Sequence, residues 1–202
     1  MRKAVFILGC ALITGGALAL LWYGYLVFDR SRVQREANRI LESKREEWKR
    51  MEASKPKPSA ATPHAIVIVP PRAGEPVGRI EVPRLSVSVM VLEGDTSKIL
   101  KLGAGHVRGT ALPGTGGNIC IAGHRDTVFR PLKDIHANDD IILTTSYGTY
   151  RYVVERVEIV DPRHVQVLKP TRDPELTLIT CYPFYYAGSA PKRFIVHARQ
   201  RV

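Results

Sequence analysis

The stretch Leu176-Thr177-Leu178-Ile179-Thr180-Cys181 is a short apolar run that ends in a cysteine. A run of this length reads as a β-strand that delivers the thiol to its end. Two other groups suited to thiol chemistry occupy comparable positions. His124 follows the apolar run Asn118-Ile119-Cys120-Ile121-Ala122-Gly123, and Arg193 opens the run Arg193-Phe194-Ile195-Val196. If the strands that end at Cys181 and begin at Arg193 are antiparallel neighbours, both residues lie on one rim of the sheet, and His124 can join them there. A nucleophile, a general acid/base and a fixed cation at strand ends point to acyl transfer.

The residues around that run fit an all-β domain over 77–202. Gly78 to Val82 alternates, Pro83 and Arg84 interrupt, and Leu85 to Leu92 resumes. Ile141–Thr145 and Tyr150–Val160 are joined by Ser146-Tyr147-Gly148-Thr149, a hairpin signal. Within the second of these, Tyr150, Tyr152 and Val154 share one parity while Val157 and Ile159 share the other, which predicts a bulge near Glu155–Arg156. Several short strands at close spacing suggest a barrel or a sandwich around one core.

The segments ahead of the domain have three compositions. Residues 4–28 contain no charged side chain, and a helix of 25 residues spans roughly 37 Å, enough to cross a bilayer with some tilt. Arg2 and Lys3 precede the run, and Trp22, Tyr23 and Tyr25 sit near its far end. Residues 1–28 are therefore read as a retained signal anchor. The competing reading, a cleaved signal peptide, lacks a small-x-small cleavage site followed by a globular start. Residues 29–53 read as a charged helical stalk, with Val33, Ala37, Ile40, Lys44, Glu47 and Met51 on a four-three stripe, Leu41 and Trp48 beside it, and polar members that favour a solvated helix. Residues 54–76, rich in Pro, Ala and Ser, read as an extended linker.

The formal charge is +11, from 30 Lys and Arg against 19 Asp and Glu. Basic residues are spread through the chain without a basic helix or an aromatic RNA-binding signature, so an anionic membrane or wall is the simpler neighbour than nucleic acid. Three cysteines, Cys10, Cys120 and Cys181, build no disulfide framework. Cys120 reads as a small buried strand residue, and a Cys120–Cys181 disulfide would disable the nucleophile. No CxxC, HExxH, phosphate-loop or dinucleotide signature occurs, so neither metal nor cofactor is expected. Of the two Gly-His pairs, His124 is preferred because a strand precedes it, whereas His106 sits in a loop-like segment where it braces a turn. His136, His164 and His197 read as surface or packing histidines, and His64 lies in the linker. Asp126 is read as capping a nearby helix rather than orienting His124.

Together these residues resemble the sortases, cysteine transpeptidases of bacterial cell surfaces. The resemblance rests on TLITC at 177–181, AGHRDT at 122–127 and RFIV at 193–196, with further support from Gly105-His106 through Thr110-Ala111-Leu112-Pro113-Gly114. Tyr182-Pro183-Phe184 is most similar to the class D group. The resemblance implies an eight-stranded β-barrel with its site at one end. It implies that Cys181 attacks the threonine carbonyl of an LPxTG-like sorting signal, and that His124 serves as acid for the leaving amine, then as base for the incoming one. Arg193 would hold substrate or the oxyanion, Thr180 would help line the groove, and residues 161–174 would form the loop that sets substrate choice. Implied partners are secreted proteins with a carboxy-terminal LPxTG-like signal and a peptidoglycan or other cell-envelope amine. The domain would then lie outside the cytoplasmic membrane. Counting basic residues at the two flanks of the anchor alone gives the opposite orientation. Two rivals predict different chemistry. A cysteine protease would only hydrolyse the thioester, and a non-catalytic binding barrel would not need Cys181.

Overall fold

The computed structural model describes residues 2–54, 70–185 and 188–201. Eight strands form the domain: β1 (Pro76–Val82), β2 (Val87–Glu93), β3 (Ala104–His106), β4 (Asn118–Ala122), β5 (Asp140–Thr144), β6 (Thr149–Val160), β7 (Glu175–Tyr182) and β8 (Lys192–Gln200). They close into a barrel in the order β1-β2-β3-β4-β7-β8-β6-β5. Closure pairs every strand on both sides and so removes the exposed edges of an open sheet. Of the two architectures the spacing allowed, the chain adopts the barrel.

Period-two alternation sorts each strand into an inner and an outer face. Leu176 and Leu178 of β7, Ile119 and Ile121 of β4, and Phe194, Val196 and Ala198 of β8 join the core with Ile80, Val91, Leu143 and Tyr152. Each such side chain, fully buried, is worth roughly 1.5–3 kcal/mol. The expected bulge is present: the β6–β8 register slips between Val154 and Arg156, so Glu155 has no partner of its own. This one extra residue lets Tyr152 and Val154 point inward before it and Val157 after it. Pro83 opens a 3-10 turn, Pro83–Leu85, that separates β1 from β2.

One helix, α1, runs unbroken from Arg2 to Ser54, about 80 Å at the usual rise. Its amino-terminal part is long and apolar enough to cross a membrane, and Leu12, Leu18, Leu20, Trp22 and Tyr25 are exposed there. Its second part differs from the solvated stalk read in the sequence. Ala37 and Leu41 are buried against Met90, Leu92 and Ile99, the last from the short helix α2 (Ser97–Leu102). Gln34 donates to the Leu102 carbonyl at 2.7 Å and accepts from the Met90 N–H at 2.8 Å. Arg79 donates to Asn38 at 2.9 Å, and Trp48 packs edge-on against Tyr147. The buried stripe thus carries Gln34, Asn38, Leu41 and Trp48. Its polar members are partnered on the barrel; of the expected stripe, Val33 and Ala37 share this docked face, whereas Lys44, Glu47 and Met51 are exposed. The linker expected over 54–76 falls mostly on residues 55–69, outside the described residues, as does His64; β1 already begins at Pro76.

Candidate active site

β7 lies between β4, parallel to it, and β8, antiparallel to it. The register puts Cys181 opposite Arg193, so the two side chains leave the same face, with Cβ atoms about 4.5–5.5 Å apart by standard pairing geometry. On the other side Ala122 pairs with Ile179, and two residues further on each strand stand His124 and Cys181. Two hydrogen bonds carry that contact past the end of β4. The Gly123 N–H donates to the Ile179 carbonyl at 3.0 Å, and the Thr180 hydroxyl donates to the Gly123 carbonyl at 2.7 Å. Cys181 thus stands opposite Arg193, and the Gly123 bonds hold His124 just beyond the end of β4, on the side of β7 away from β8.

Below it the outer face of the same strands continues as parallel rows. Ala122, Ile179 and Ile195 make an apolar row, followed by Cys120, Thr177 and His197. The segment 161–174 covers this second row. Asn118 fixes it: its amide donates to the carbonyls of Val167 at 2.8 Å and Lys169 at 3.2 Å, while its carbonyl accepts the Thr177 hydroxyl at 2.8 Å. Asn118 is buried, and its bond with Thr177 forms away from water, where it is hardest to replace. Ala122 and Ile179 are half-buried beside Cys181, Ile195 is fully buried, and 161–174 flanks the row beyond them.

Cys181 and His124 are half-buried, which leaves thiol and imidazole reachable by a peptide. Among the described residues neither side chain has a hydrogen-bond partner. The Arg193 guanidinium donates to the carbonyls of Lys192 at 3.0 Å and Ala190 at 3.3 Å, so it curls toward its own backbone at the edge of the row. Gly123 is dictated by packing. A Cβ there would stand 2.5 Å from the Phe129 ring, which is fully buried under the turn that carries His124.

Thr180 stands elsewhere than expected. It shares parity with Leu176 and Leu178, is buried, and its hydroxyl is spent on Gly123, so it braces the row from inside instead of lining the groove. Ile179 is the β7 side chain on the groove floor. Asp126 caps nothing: the 3-10 turn nearby starts at Arg130 with Phe129 at its cap position and no side-chain cap bond. His106 belongs to β3 and is buried, with Nδ1 2.7 Å from the Glu93 carboxylate and Nε2 3.0 Å from the Ala111 carbonyl, which makes it a brace for the loop after β3.

Cys120 is buried and burial pushes its thiol up to about 12, so it stays protonated at any working pH. It pairs with Thr177, four residues before Cys181 on β7, roughly 13 Å away along the strand. A disulfide between the two is out of reach. Arg125 had no role in the sequence reading. It donates to the Pro183 carbonyl at 2.9 Å and the Gly188 carbonyl at 3.1 Å, tying the turn after His124 to the loop after Cys181.

Comparison with known proteins agrees with this architecture. The Sortase domain family model matches residues 80–201. The chain is 30% identical over 203 residues to Sortase D of Bacillus subtilis (strain 168), covering 99% of both chains. It is 36% identical over 109 residues to Sortase A of Listeria monocytogenes, covering 52% of this chain and 49% of that one. The fold superposes on a Clostridium perfringens Sortase D5 transpeptidase with a TM-score of 0.67 at 24% identity, over 85% of this chain and 99% of that one.

Proposed function

The chain belongs to the sortase family of cysteine transpeptidases, and from that premise we propose that it cleaves an LPxTG-like sorting signal after threonine and joins the new carboxyl end to a cell-envelope amine. The observation that carries the assignment of roles is the single row formed by His124, Cys181 and Arg193.

In this reaction the Cys181 sulfur, as thiolate, attacks the threonine carbonyl carbon and a C–S bond forms. The developing oxyanion is met by the Arg193 guanidinium, which stays charged throughout. His124, in its protonated form, gives its proton to the nitrogen of the leaving residue as the C–N bond breaks, leaving a thioester. An incoming amine then attacks that thioester, passes a proton to His124 and expels the Cys181 thiolate. The pairing of Cys181 with Arg193 and the bonds that tie Gly123 to β7 support these roles. The half-buried Ala122 and Ile179 offer the signal an apolar contact beside Cys181, and 161–174 supplies the side wall that selects among signals. Thr180 and Asn118 act through other residues, holding the row and the wall.

The amino-terminal helix is proposed as a single-pass anchor in the cytoplasmic membrane, with residues 29–53 as a helical spacer, 54–76 as a linker and 77–202 as the catalytic barrel on the outer side. Incubation of the protein with LPxTG-like peptides, with and without an added amine, tests this reading. A ligated product that replaces hydrolysis when amine is present supports transpeptidation. Hydrolysis that no amine diverts would favour a protease.

A further inference from the structure

The strand directions and the helix contacts fix where the catalytic row lies relative to the apolar part of α1. β8 begins beside Cys181 and runs away from the row. β6, antiparallel to it, has Val160 beside Arg193 and Thr149 at the far end of the barrel, about 36 Å away along the strand. α1 follows the same length. Its carboxy-terminal part meets the far end, where Arg45 donates to Thr149 at 3.4 Å and Trp48 packs on Tyr147. Its residues Arg30 and Gln34 line a cleft with Ser86, Val87, Val128 and Pro131. Val128 and Pro131 belong to the turn that follows His124. From Arg30 to Trp48 the helix covers about 27 Å, so it descends the barrel from the catalytic end to the opposite one. The residues before Arg30, which include the candidate membrane span, therefore project beyond the catalytic end.

The surface at that end has a matching chemistry. The segments 123–134, 160–164 and 182–193 carry six Lys and Arg against three Asp. Arg130 and Lys192 are exposed, and Tyr185 is 72% exposed with its ring 5.7 Å from the Arg130 guanidinium. An amphipathic aromatic beside cations suits the headgroup layer of an anionic bilayer.

We propose that the catalytic end of the barrel faces the membrane and docks on anionic phospholipid headgroups, with α1 as the spacer that sets its orientation. The proposal rests on the reading of α1 as a membrane anchor. Cys181 then works within the headgroup zone.

The test uses the full-length chain in nanodiscs of phosphatidylglycerol and phosphatidylcholine, with Cys10→Ser and Cys181→Ala to remove competing thiols. One fluorophore is attached at Asp126→Cys on the catalytic end, Ser146→Cys on the far hairpin, or Ala17→Cys in the apolar segment. Headgroup nitroxide lipid is expected to quench the label at 126 at least threefold more than that at 146, and acyl-chain nitroxide to quench the label at 17. Equal or reversed quenching at 126 and 146, with 17 quenched, overturns the orientation and leaves the anchor standing. An unquenched label at 17 overturns the anchor and this proposal with it. In the chain with native cysteines, Arg130→Glu is expected to slow turnover of a lipid-tethered signal peptide by roughly fivefold or more while leaving a soluble peptide unchanged. An equal effect on both substrates, or none on the tethered one, contradicts docking.

Discussion

The hydroxyl of Thr180 donates to the carbonyl of Gly123 at 2.7 Å, and these two residues are the chain neighbours of Cys181 and His124. One buried bond thus holds the proposed nucleophile and acid/base in a common row, beyond the last regular β4–β7 pair. Thr180→Val keeps the shape and deletes the donor, leaving the Gly123 carbonyl without this partner. The expected result is a loss of about 1–3 kcal/mol in stability and a fall in kcat with little change in KM. Thr180→Ser restores both. Denaturant melts and steady-state kinetics on the three proteins check it.

Gly123 is held by contact with Phe129. Gly123→Ala places a methyl 2.5 Å from a ring carbon in a packed site, and overpacking of this kind costs about 1–3 kcal/mol. Because His124 comes next in the chain, the strain displaces the imidazole, and turnover falls along with the melting temperature. Adding Phe129→Leu opens the space and recovers part of both, measured by thermal unfolding and kcat.

Asn118 pairs with Glu175, about 20 Å along the strand from Cys181 and too far to touch the reacting atoms, yet it holds the wall 161–174 through Val167 and Lys169. Asn118→Ala is expected to cost about 1–3 kcal/mol and to raise KM for a sorting peptide several-fold more than it lowers kcat. The rate of Cys181 alkylation by iodoacetamide should stay unchanged, which separates loss of the wall from loss of the site.

Asp139 gives the barrel an acid-sensitive brace. The Arg84 guanidinium, donating to its carboxylate at 2.6 Å, together with the His136 N–H, holds this carboxyl below its ordinary value of 3.8. A depressed carboxyl contributes fully above the unfolded value and loses its contribution as pH falls through the lower folded value. Asp139→Asn is therefore expected to be less stable than the parent at neutral pH, with the gap closing below pH 3.8. Urea melts of both proteins between pH 2.5 and 7 measure it.

The barrel was legible because its signals are local. The parity switch between Val154 and Val157 marks the bulge, and apolar runs ending in His124 and Cys181 or opening at Arg193 mark strand ends that share a rim. Thr180 was misplaced although its parity with Leu176 and Leu178 points it inward; its neighbourhood to the cysteine outweighed the alternation. The docked face of α1 was missed for a different reason. Gln34, Asn38 and Trp48 are partnered by specific groups on the barrel, and a search for apolar periodicity does not register amide side chains. Arg125 and Asn118 act by bonding distant backbone carbonyls, of Pro183, Gly188, Val167 and Lys169, and no spacing in the sequence encodes such pairings.

In the proposed reaction Cys181, and not the buried Cys120, carries the acyl group between donor and amine. Site-resolved mass spectrometry of the full-length chain, quenched in acid during turnover of an LPxTG-like peptide with excess amine, tests it. The expected result is a threonyl thioester on Cys181 alone, lost in Cys181→Ala, and an amine-ligated product whose formation depends on His124. A modified Cys120 with Cys181 free, or ligation that survives Cys181→Ala, would contradict it.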